Sequence, residues 1–266
     1  MRGSSDCVHC GGTVAPDGHC WDCGKAQPAF RARVETASGG AAAVSDRGLR
    51  RGVNADAVAL TGAGAWTVGV VCDGVSAAPR TERAAEVAAE VGAVATAARL
   101  RAGVLPETAL TAAAARAAHA VAALAGSARD APACTYVAGI AGPDGVWACW
   151  VGDSRAYWLP DAGPGMALTE DDSGAHGALA AWLGADAGDP AAQVRGYRPA
   201  VPGRLLLCTD GLTRYLPDAG SLRGALRTSA GGLLDEARAL VQCALDAGGH
   251  DNVSALLIRV QALSSS

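Results

Sequence analysis

The stretches VVCDG (70–74), WVGDSRAY (150–157) and LLLCTDG (205–211) share one design, an apolar and β-prone run that ends in an aspartate. The three aspartates are Asp73, Asp153 and Asp210. A carboxylate at the end of a buried strand is costly unless positive charge lies against it. One such aspartate alone is most often a turn or helix-cap residue. Three of them beside glycines, together with the pair Asp251-Asn252, favour a shared site for a hard divalent cation such as Mg²⁺ or Mn²⁺.

The patterns between these stretches predict the fold class. Short strands joined by tight turns, such as Pro143-Asp144-Gly145, indicate antiparallel pairing. The expected strands lie near 41–46, 56–60, 66–72, 134–141, 146–152, 154–159, 192–198, 204–208 and 252–261. The expected helices lie at 80–101, 106–125, 219–228 and 231–246. Pairs of helices between groups of strands predict an α/β/β/α sandwich, in which helices flank two antiparallel sheets.

The order and wording of the aspartate stretches resemble the metal-dependent protein phosphatases, the type-2C serine/threonine phosphatase family, and most closely its bacterial members. The likeness runs from about Ala41 to Val260. The matched motifs are Arg51 before Asn54-Ala55-Asp56, Asp73-Gly74, Gly152-Asp153-Ser154-Arg155, the Leu-Thr-x-Asp-Asp-Ser element at 168–173, Thr209-Asp210-Gly211 and Asp251-Asn252. Any one of these motifs is weak, but six in the family's order and spacing are strong evidence.

The resemblance implies an activity as well as the same four-layer fold. It implies a Mg²⁺- or Mn²⁺-dependent serine/threonine protein phosphatase that hydrolyses phosphoserine and phosphothreonine with a metal-activated water. It implies two such ions in a cleft at one edge of the paired sheets, with a third left open. Phosphorylated proteins are the expected partners, with targets of a bacterial serine/threonine kinase as candidate substrates.

The chemistry of such a site suggests a role for each ligand. Two metal ions ~3.5–4 Å apart can hold phosphoryl oxygens and lower the pKa of a bridging water. Asp73 is the candidate bridge, and Gly74 would offer its carbonyl because glycine lets the backbone approach an ion closely. Asp210 and Asp251 would complete the first ion. The resemblance implies these same assignments, and the alternative role for Asp210 is a helix N-cap.

Three further polar residues have less direct expected roles. Asp56 is expected to order waters on the second ion. The segment Gly152-Asp153-Ser154 is a tight turn in the simpler interpretation, whereas in bacterial relatives the aspartate that matches Asp153 helps to bind a third ion. Asn252 is expected to brace the loop of Asp251 rather than to bind metal.

Arg51 is the candidate clamp for the substrate phosphate. A planar and always charged guanidinium suits two-pronged contact with phosphate oxygens. The family spacing selects Arg51 over its neighbour Arg50, and the alternative is that both are solvated surface residues. The chain has no serine elbow and no Cys-x5-Arg loop, so a covalent nucleophile is not expected. His250 either assists protonation of the leaving group or is a solvent-facing loop residue.

Three positions depart from the family pattern. Ala55 replaces the glutamate of Asn-Glu-Asp, the Asp73-Gly74 loop continues as Val75-Ser76-Ala77 in place of further glycines, and the flap at 174–188 is short. These changes keep an alternative open, a phosphatase-like regulatory module without activity that docks partners through its N-terminal unit. Because the three carboxylates of the first ion are retained, the active enzyme is the preferred interpretation.

A separate N-terminal unit is predicted for residues 1–26. Cys7-x-x-Cys10 and Cys20-x-x-Cys23 have the spacing of a zinc ribbon, in which four thiolates hold one structural Zn²⁺. Two disulfides or a redox pair are the alternatives. A linker is expected at 27–40 and the phosphatase domain at 41–262. Because every catalytic motif follows Arg47, the ribbon is expected to be dispensable for hydrolysis of a small phosphate ester.

Composition narrows the partners and the compartment. The chain has 266 residues and a formal net charge of −4, so it carries no basic field that would attract nucleic acid. No apolar run reaches the ~18 residues of a membrane span. The five cysteines outside the ribbon mostly lie within apolar runs, a usage that points to a reducing cytoplasm. A cytoplasmic monomer that binds neither nucleic acid nor membrane is expected.

Overall fold

A computed structural model of the protein describes residues 7–15, 18–27, 32–127, 130–173, 179–187, 191–227 and 231–261. Its helices are α1 (Thr81–Arg101), α2 (Pro106–Ala122), α3 (Asp210–Thr213), α4 (Ala219–Leu226) and α5 (Leu233–Asp246). Its strands are β1 (Arg33–Ser38), β2 (Ala41–Asp46), β3 (Ala57–Ala63), β4 (Trp66–Cys72), β5 (Ala133–Cys134), β6 (Tyr136–Gly142), β7 (Gly145–Val151), β8 (Arg155–Pro160), β9 (Met166–Ala167), β10 (Leu183–Gly184), β11 (Gln193–Tyr197), β12 (Gly203–Cys208) and β13 (Val253–Val260).

The strands form two large antiparallel sheets. The first sheet has the order β1-β2-β13-β12-β8-β9, and the second has the order β11-β7-β6-β4-β3. A small third sheet pairs β10 with β5. The predicted hairpin around Pro143 is present, since β6 and β7 pair from Tyr136↔Val151 to Gly142↔Gly145.

Three apolar cores separate four layers, so the predicted α/β/β/α sandwich is confirmed. One core lies between α1, α2 and the five-stranded sheet and is rich in alanine. A second lies between the six-stranded sheet and the helices α3, α4 and α5. The third lies between the two sheets, where Trp150 and Trp158 are almost fully buried. No described helix combines the length and the apolar character needed to cross a membrane.

The alternation of side chains along β12 explains its continuous apolar run. Leu206 and Cys208 face the helices, whereas Leu205 and Leu207 face the opposite sheet. Successive side chains of a strand point to opposite faces, so a strand that is covered on both faces is apolar throughout. The run must end where the protein surface begins, and that is where Thr209 and Asp210 follow.

Within the predicted linker at 27–40, residues Arg33–Ser38 are a strand. These residues form the edge strand β1, which pairs with β2 over its whole length, from Arg33↔Asp46 to Ser38↔Ala41. An edge strand with one exposed face carries polar residues and therefore resembles a linker in sequence. Parts of other sequence-based assignments lie outside the described residues: 1–6 and 16–17 of the ribbon, 28–31 of the linker, 174–178 and 188 of the flap, and the domain end at 262.

Antiparallel pairing gathers the motif residues at one edge of the sandwich. Asp73 follows β4 and Asp56 precedes β3, and the register Ala57↔Cys72 places the two positions side by side. Asp210 follows β12 and Asp251 precedes β13, whose register is Cys208↔Ala255. In an antiparallel pair the end of one strand lies beside the start of its neighbour. Four aspartates from distant parts of the sequence therefore meet.

Candidate active site

Asp73 and Asp210 form the centre of this carboxylate cluster. Their carboxyl groups lie close enough to hydrogen-bond each other. Burial raises the pKa of Asp73 well above its ordinary value, and the charges of Asp56 and Asp210 raise it further. Burial also raises the pKa of Asp210. Two carboxylates that share a site cannot both ionise cheaply unless a cation lies between them.

Asp56 lies in a cage of hydroxyl groups at the base of the cluster. Thr209 Oγ1 and Ser254 Oγ donate hydrogen bonds to Asp56 Oδ2, at 2.9 and 2.7 Å. Ser45 Oγ lies 2.8 Å from Ser254 Oγ and extends the cage. Burial raises the pKa of Asp56 to about 7, although the two hydrogen bonds act in the opposite direction.

Arg51, rather than Arg50, reaches the carboxylate cluster. Its Nε and Nη2 donate to Asp251 Oδ1 and Oδ2, at 2.7 and 2.6 Å. This contact raises the pKa of Arg51, and the charges of Asp73 and Asp210 add to the effect. The candidate phosphate clamp is therefore placed on a candidate metal ligand, with 40% of its side chain exposed.

Two glycines beside the aspartates are required by close packing. A Cβ on Gly74 would lie 2.6 Å from Thr81 Cβ, at the start of α1. A Cβ on Gly211 would lie 1.9 Å from the carbonyl oxygen of Asn252. Real Cβ atoms do not approach other heavy atoms so closely, so each Asp-Gly pair locks its aspartate against a neighbouring segment.

Asp210 is not the helix N-cap considered in the sequence. The N-cap of α3 is Thr209, and Asp210 is the first helical residue. The Oδ1 atoms of Asp210 and Asp56 are buried and have no hydrogen-bond partner among the described residues. Buried carboxylate oxygens without partners are costly, and both face the same cluster of negative charge.

Asp73 is supported by a second layer of hydroxyl groups. Its backbone N–H donates to Thr135 Oγ1 at 3.0 Å, and Thr135 N–H donates to the carbonyl of Asp73 at 2.8 Å. Thr135 Oγ1 in turn lies 2.7 Å from Ser154 Oγ. The Gly-Asp-Ser turn is thereby joined to the Asp-Gly loop. Burial raises the pKa of Asp153 in this turn to about 6, and the charge of Asp210 contributes.

The arginine of the Gly-Asp-Ser-Arg motif has a structural partner. Arg155 donates from Nε and Nη2 to Asp171 Oδ1 and Oδ2, both at 2.7 Å. The adjacent Asp172 accepts hydrogen bonds from Gly152 N–H at 2.9 Å and from Gln193 Nε2 at 2.5 Å. The Leu-Thr-x-Asp-Asp-Ser element therefore anchors the turn that holds Asp153.

Asn252 braces the site through its amide group. Asn252 Oδ1 accepts from Ala55 N–H at 2.8 Å, and its Nδ2 donates to the carbonyls of Arg47 and Val53, at 2.7 and 3.0 Å. All of these partners lie within residues 47–55, the segment that carries Arg51, rather than in the Asp251 loop. Asn252 thus fixes the segment that carries Arg51, a more specific role than the sequence predicted.

The donor set of this edge fits hard divalent cations. It offers four carboxylates with no lysine beside them, and two buried oxygens there lack partners among the described residues. Among the described residues, only the four ribbon cysteines form a group of three or more candidate ligands whose atoms all lie within 4.8 Å of one another. The carboxylates at this edge are therefore spaced more widely than the ligands of one closed coordination shell. Both oxygens of Asp251 are bound by Arg51.

The four ribbon cysteines form a second candidate metal site. Cys7 Sγ lies 3.7 Å from Cys23 Sγ, and Cys10 Sγ lies 3.5 Å from Cys20 Sγ. Tetrahedral zinc with Zn–S bonds of about 2.3 Å places its sulfurs about 3.8 Å apart. No disulfide joins these cysteines. The geometry fits one four-coordinate Zn²⁺ and no open coordination position.

Comparison with known proteins assigns the fold to a family. A model of the protein phosphatase 2C family matches residues 49–247. The chain belongs to the protein phosphatase 2C family. The match begins just before Arg51 and ends just before Asp251, so the phosphatase resemblance seen in the motifs is confirmed. No curated protein sequence matches the chain.

Solved structures of bacterial phosphatases share the architecture of this family member. Serine/threonine phosphatase Stp1 from Staphylococcus aureus has a TM-score of 0.71 and 23% identity, over 86% of this chain and 98% of that chain. The catalytic domain of PstP, in complex with two manganese ions, has a TM-score of 0.63 and 27% identity, over 82% and 96%. MsPP from Mycobacterium smegmatis, in complex with cacodylate, has a TM-score of 0.67 and 25% identity, over 82% and 97%.

The sequence did not reveal the hydroxyl groups around the aspartates. Ser45, Thr135, Thr209 and Ser254 are all buried at strand ends beside the cluster. A small hydroxyl residue in a strand is usually unremarkable, so single positions carry no signal. The signal that could have identified Thr209 is its position next to a motif aspartate in the sequence, Thr209-Asp210.

Proposed function

We propose that this chain is a Mg²⁺- or Mn²⁺-dependent phosphatase that hydrolyses phosphoserine and phosphothreonine in proteins. The main support is the meeting of Asp73, Asp210 and Asp56, with raised carboxyl pKa values, beside the cation Arg51. Such a site is electrostatically incomplete without added positive charge. When bound, two divalent ions supply a water that is nucleophilic at neutral pH and neutralise phosphoryl oxygens.

The residues of the chain divide the work of this reaction. Asp73, Asp210 and Asp251 are the proposed ligands of the first ion, and Asp73 is shared with the second. The carbonyl of Gly74 and the buried Asp56 serve the second ion, the latter through water. Asp153, at the rim beside Asp210, is the proposed protein ligand of a third ion. PstP is described with two manganese ions, which agrees with two ions as the minimum.

Arg51 binds the substrate phosphate in this proposal. Its guanidinium is about two-fifths exposed and lies at the mouth of the carboxylate cluster. Because its planar fork binds both oxygens of the Asp251 carboxylate, Arg51 has the geometry to bind two oxygens of a phosphate, and Asp251 would be free to hold a metal ion when Arg51 does so. The expected substrates are phosphorylated proteins, including targets of a bacterial serine/threonine kinase. The proposed enzyme is a monomer in the cytoplasm.

One observation favours the alternative, an inactive module that docks partners through the zinc ribbon. Ala55 lacks the family's carboxylate, and its backbone N–H and C=O are used by Asn252 and Gly74. The second ion therefore has fewer acidic partners than the family pattern provides. The two functions differ in whether a phosphate ester is turned over at all.

Hydrolysis of p-nitrophenyl phosphate and of a phosphothreonine peptide, with and without added Mn²⁺, decides between them. Turnover that requires Mn²⁺ and is lost in Asp210→Asn is expected. Omission of Mn²⁺ is preferable to a strong chelator, which would also strip zinc from the ribbon. A folded protein that turns over neither ester at any Mn²⁺ concentration would refute the phosphatase proposal and leave the docking module as the alternative.

A further inference from the structure

The zinc ribbon lies beside the first motif of the phosphatase domain. Both units line one small pocket, with a volume of about 20 Å³. The residues lining it from the ribbon are His19 and Ala26, and those from the phosphatase domain are Val53, Asn54, Asp56, Ala57, Glu82 and Glu86. The ribbon therefore borders the segment that carries Asp56 and does not lie apart from the phosphatase domain.

The contact is close to the zinc ligands in both sequence and space. Both ring nitrogens of His19 are buried, and Ala26 is 3% exposed. His19 and Ala26 also pair with each other through an antiparallel bridge. His19 immediately precedes Cys20, so the position of the contact depends on the loop that holds this thiolate. A ribbon this short has no core of its own and depends on zinc to fold.

The ribbon also comes close to the end of the loop that follows Asp73-Gly74. A Cβ on Gly24 would lie 3.8 Å from Cδ of Arg80, the N-cap residue of α1. Arg80 has a left-handed backbone with φ of 50° and donates from Nη2 to Asp130 Oδ2 and to the carbonyl of Leu124. The strained turn is thus held by Asp130 and Leu124, and Gly24 of the ribbon lies next to it. It ends the loop that begins at Asp73.

We infer that His19 and Ala26 are positioning residues for the segment 53–57. Zinc bound by the four cysteines would fix the ribbon, the ribbon would press on Val53 and Asn54, and these would hold Asp56 beneath the carboxylate cluster. The Zn²⁺ site and the phosphatase site would then be coupled. This inference replaces the sequence-based expectation that the ribbon is dispensable for hydrolysis of a small ester.

Hydrogen exchange of the full-length, zinc-loaded protein tests the coupling without relying on activity. The informative amides are Ala55 N–H, which donates to Asn252 Oδ1, and Gly74 N–H, which donates to the carbonyl of Ala55. In His19→Ala these amides should exchange faster, by roughly two- to thirtyfold for a typical coupling residue. His9→Ala is the matched control, because His9 is an exposed histidine on the other cysteine knuckle.

A second variant guards against simple loss of the ribbon fold. Ala26→Leu leaves every cysteine in place but enlarges a side chain that is only 3% exposed and lines the pocket shared by the two units, so it should separate the two surfaces. It is expected to give the same faster exchange while metal analysis still finds one zinc per chain. A variant that loses zinc should show the faster exchange as well, since the ribbon would no longer be fixed.

Direct titration of Mn²⁺ by electron paramagnetic resonance gives the functional readout. The dissociation constant should rise in His19→Ala and Ala26→Leu and stay at the wild-type value in His9→Ala, with the overall unfolding temperature little changed. Unchanged exchange of the Ala55 and Gly74 amides in both test variants, or an equal change in His9→Ala, would overturn the inference. The Mn²⁺ readout rests on the proposed function: a wild-type protein that binds no Mn²⁺ would refute that function, whereas the exchange result would still decide the coupling.

Discussion

Arg51 binds Asp251 through two short hydrogen bonds, of 2.7 and 2.6 Å, and so joins residues that are 200 positions apart. The pair connects the first and last motifs of the phosphatase domain across the mouth of the carboxylate cluster. A guanidinium and a divalent cation compete for the same carboxylate, because each neutralises it. Arg51 therefore supplies positive charge to the carboxylate cluster, and it is also the candidate clamp for the substrate phosphate.

Arg51→Ala should have opposite effects on substrate and on metal. Loss of the clamp should raise KM for a phosphopeptide by roughly 10- to 150-fold, the value of a charge-assisted hydrogen bond of ~1.5–3 kcal/mol. Removal of a competing cation should lower the dissociation constant for Mn²⁺. Steady-state kinetics and direct Mn²⁺ titration measure the two effects. A larger KM effect in Arg50→Ala would reverse the choice between the neighbours.

Asp73→Asn and Asp210→Asn should each remove metal-dependent hydrolysis while the fold survives. Even residues that only support metal ligands are worth about 10–100-fold, so loss of a ligand should cost more than about a hundredfold in turnover. Asp144→Asn, in the exposed turn between β6 and β7, is the matched control. Wild-type turnover of p-nitrophenyl phosphate by either test variant at saturating Mn²⁺ would exclude the two-ion site.

In the absence of Mg²⁺ and Mn²⁺ the protein should lose stability as pH rises. The pKa of Asp56 is about 7 in the folded protein and about 3.9 in an unfolded chain, so the folded state binds the proton more tightly. The stabilisation that this group contributes is fully present below pH ~4 and is lost as pH rises from ~4 to ~7. Thermal unfolding at pH 5 and pH 8 should show the fall in the wild type and a smaller one in Asp56→Asn. Equal slopes in the two proteins would show that Asp56 is not the responsible group.

Ala55→Glu should tighten the second ion. The side chain of Ala55 is half-buried next to the Asp73-Gly74 loop, whose Gly74 N–H donates to the Ala55 carbonyl at 3.2 Å. A glutamate there returns the carboxylate of the family pattern, and the Mn²⁺ concentration for half-maximal turnover should fall. Ala55→Gln has nearly the same shape without the charge and should leave this concentration unchanged. A glutamate variant that behaves like the glutamine variant would mean that position 55 does not face the ion.

Gly211→Ala should destabilise the protein, although it adds only a methyl group. The new Cβ would lie 1.9 Å from the carbonyl oxygen of Asn252, and such overpacking costs about 1–3 kcal/mol or more. Gly224→Ala is the matched control, since nothing lies within 4 Å of its Cβ position in α4. It should stabilise the protein by about 0.5–1 kcal/mol. Urea unfolding of both variants gives the comparison, and similar midpoints would argue against the close contact.

Much of this protein was determined by local sequence. The apolar run Leu205–Cys208 is buried on both faces of its sheet, as its composition predicts. The predicted helices at 80–101 and 106–125 match α1 and α2 within three residues. The motif order predicted the family and the four layers. The position of each aspartate after or before a strand is also a local property, so the sequence could name Asp73, Asp210 and Asp251 as candidates.

Tertiary structure alone decided which groups meet and what each one touches. The pairing of Arg51 with Asp251, the hydroxyl cage of Asp56 and the pocket that His19 shares with the first motif all bring together segments far apart in the chain. Such contacts depend on sheet register and on layer packing, which no local pattern encodes. The edge strand β1 was missed for a related reason: its polar residues are stable there only because β2 supplies the hydrogen bonds. The periodicity of apolar residues in the sequence indicates which side chains are buried. The functional site, in contrast, depends on where the ends of the buried strands come together.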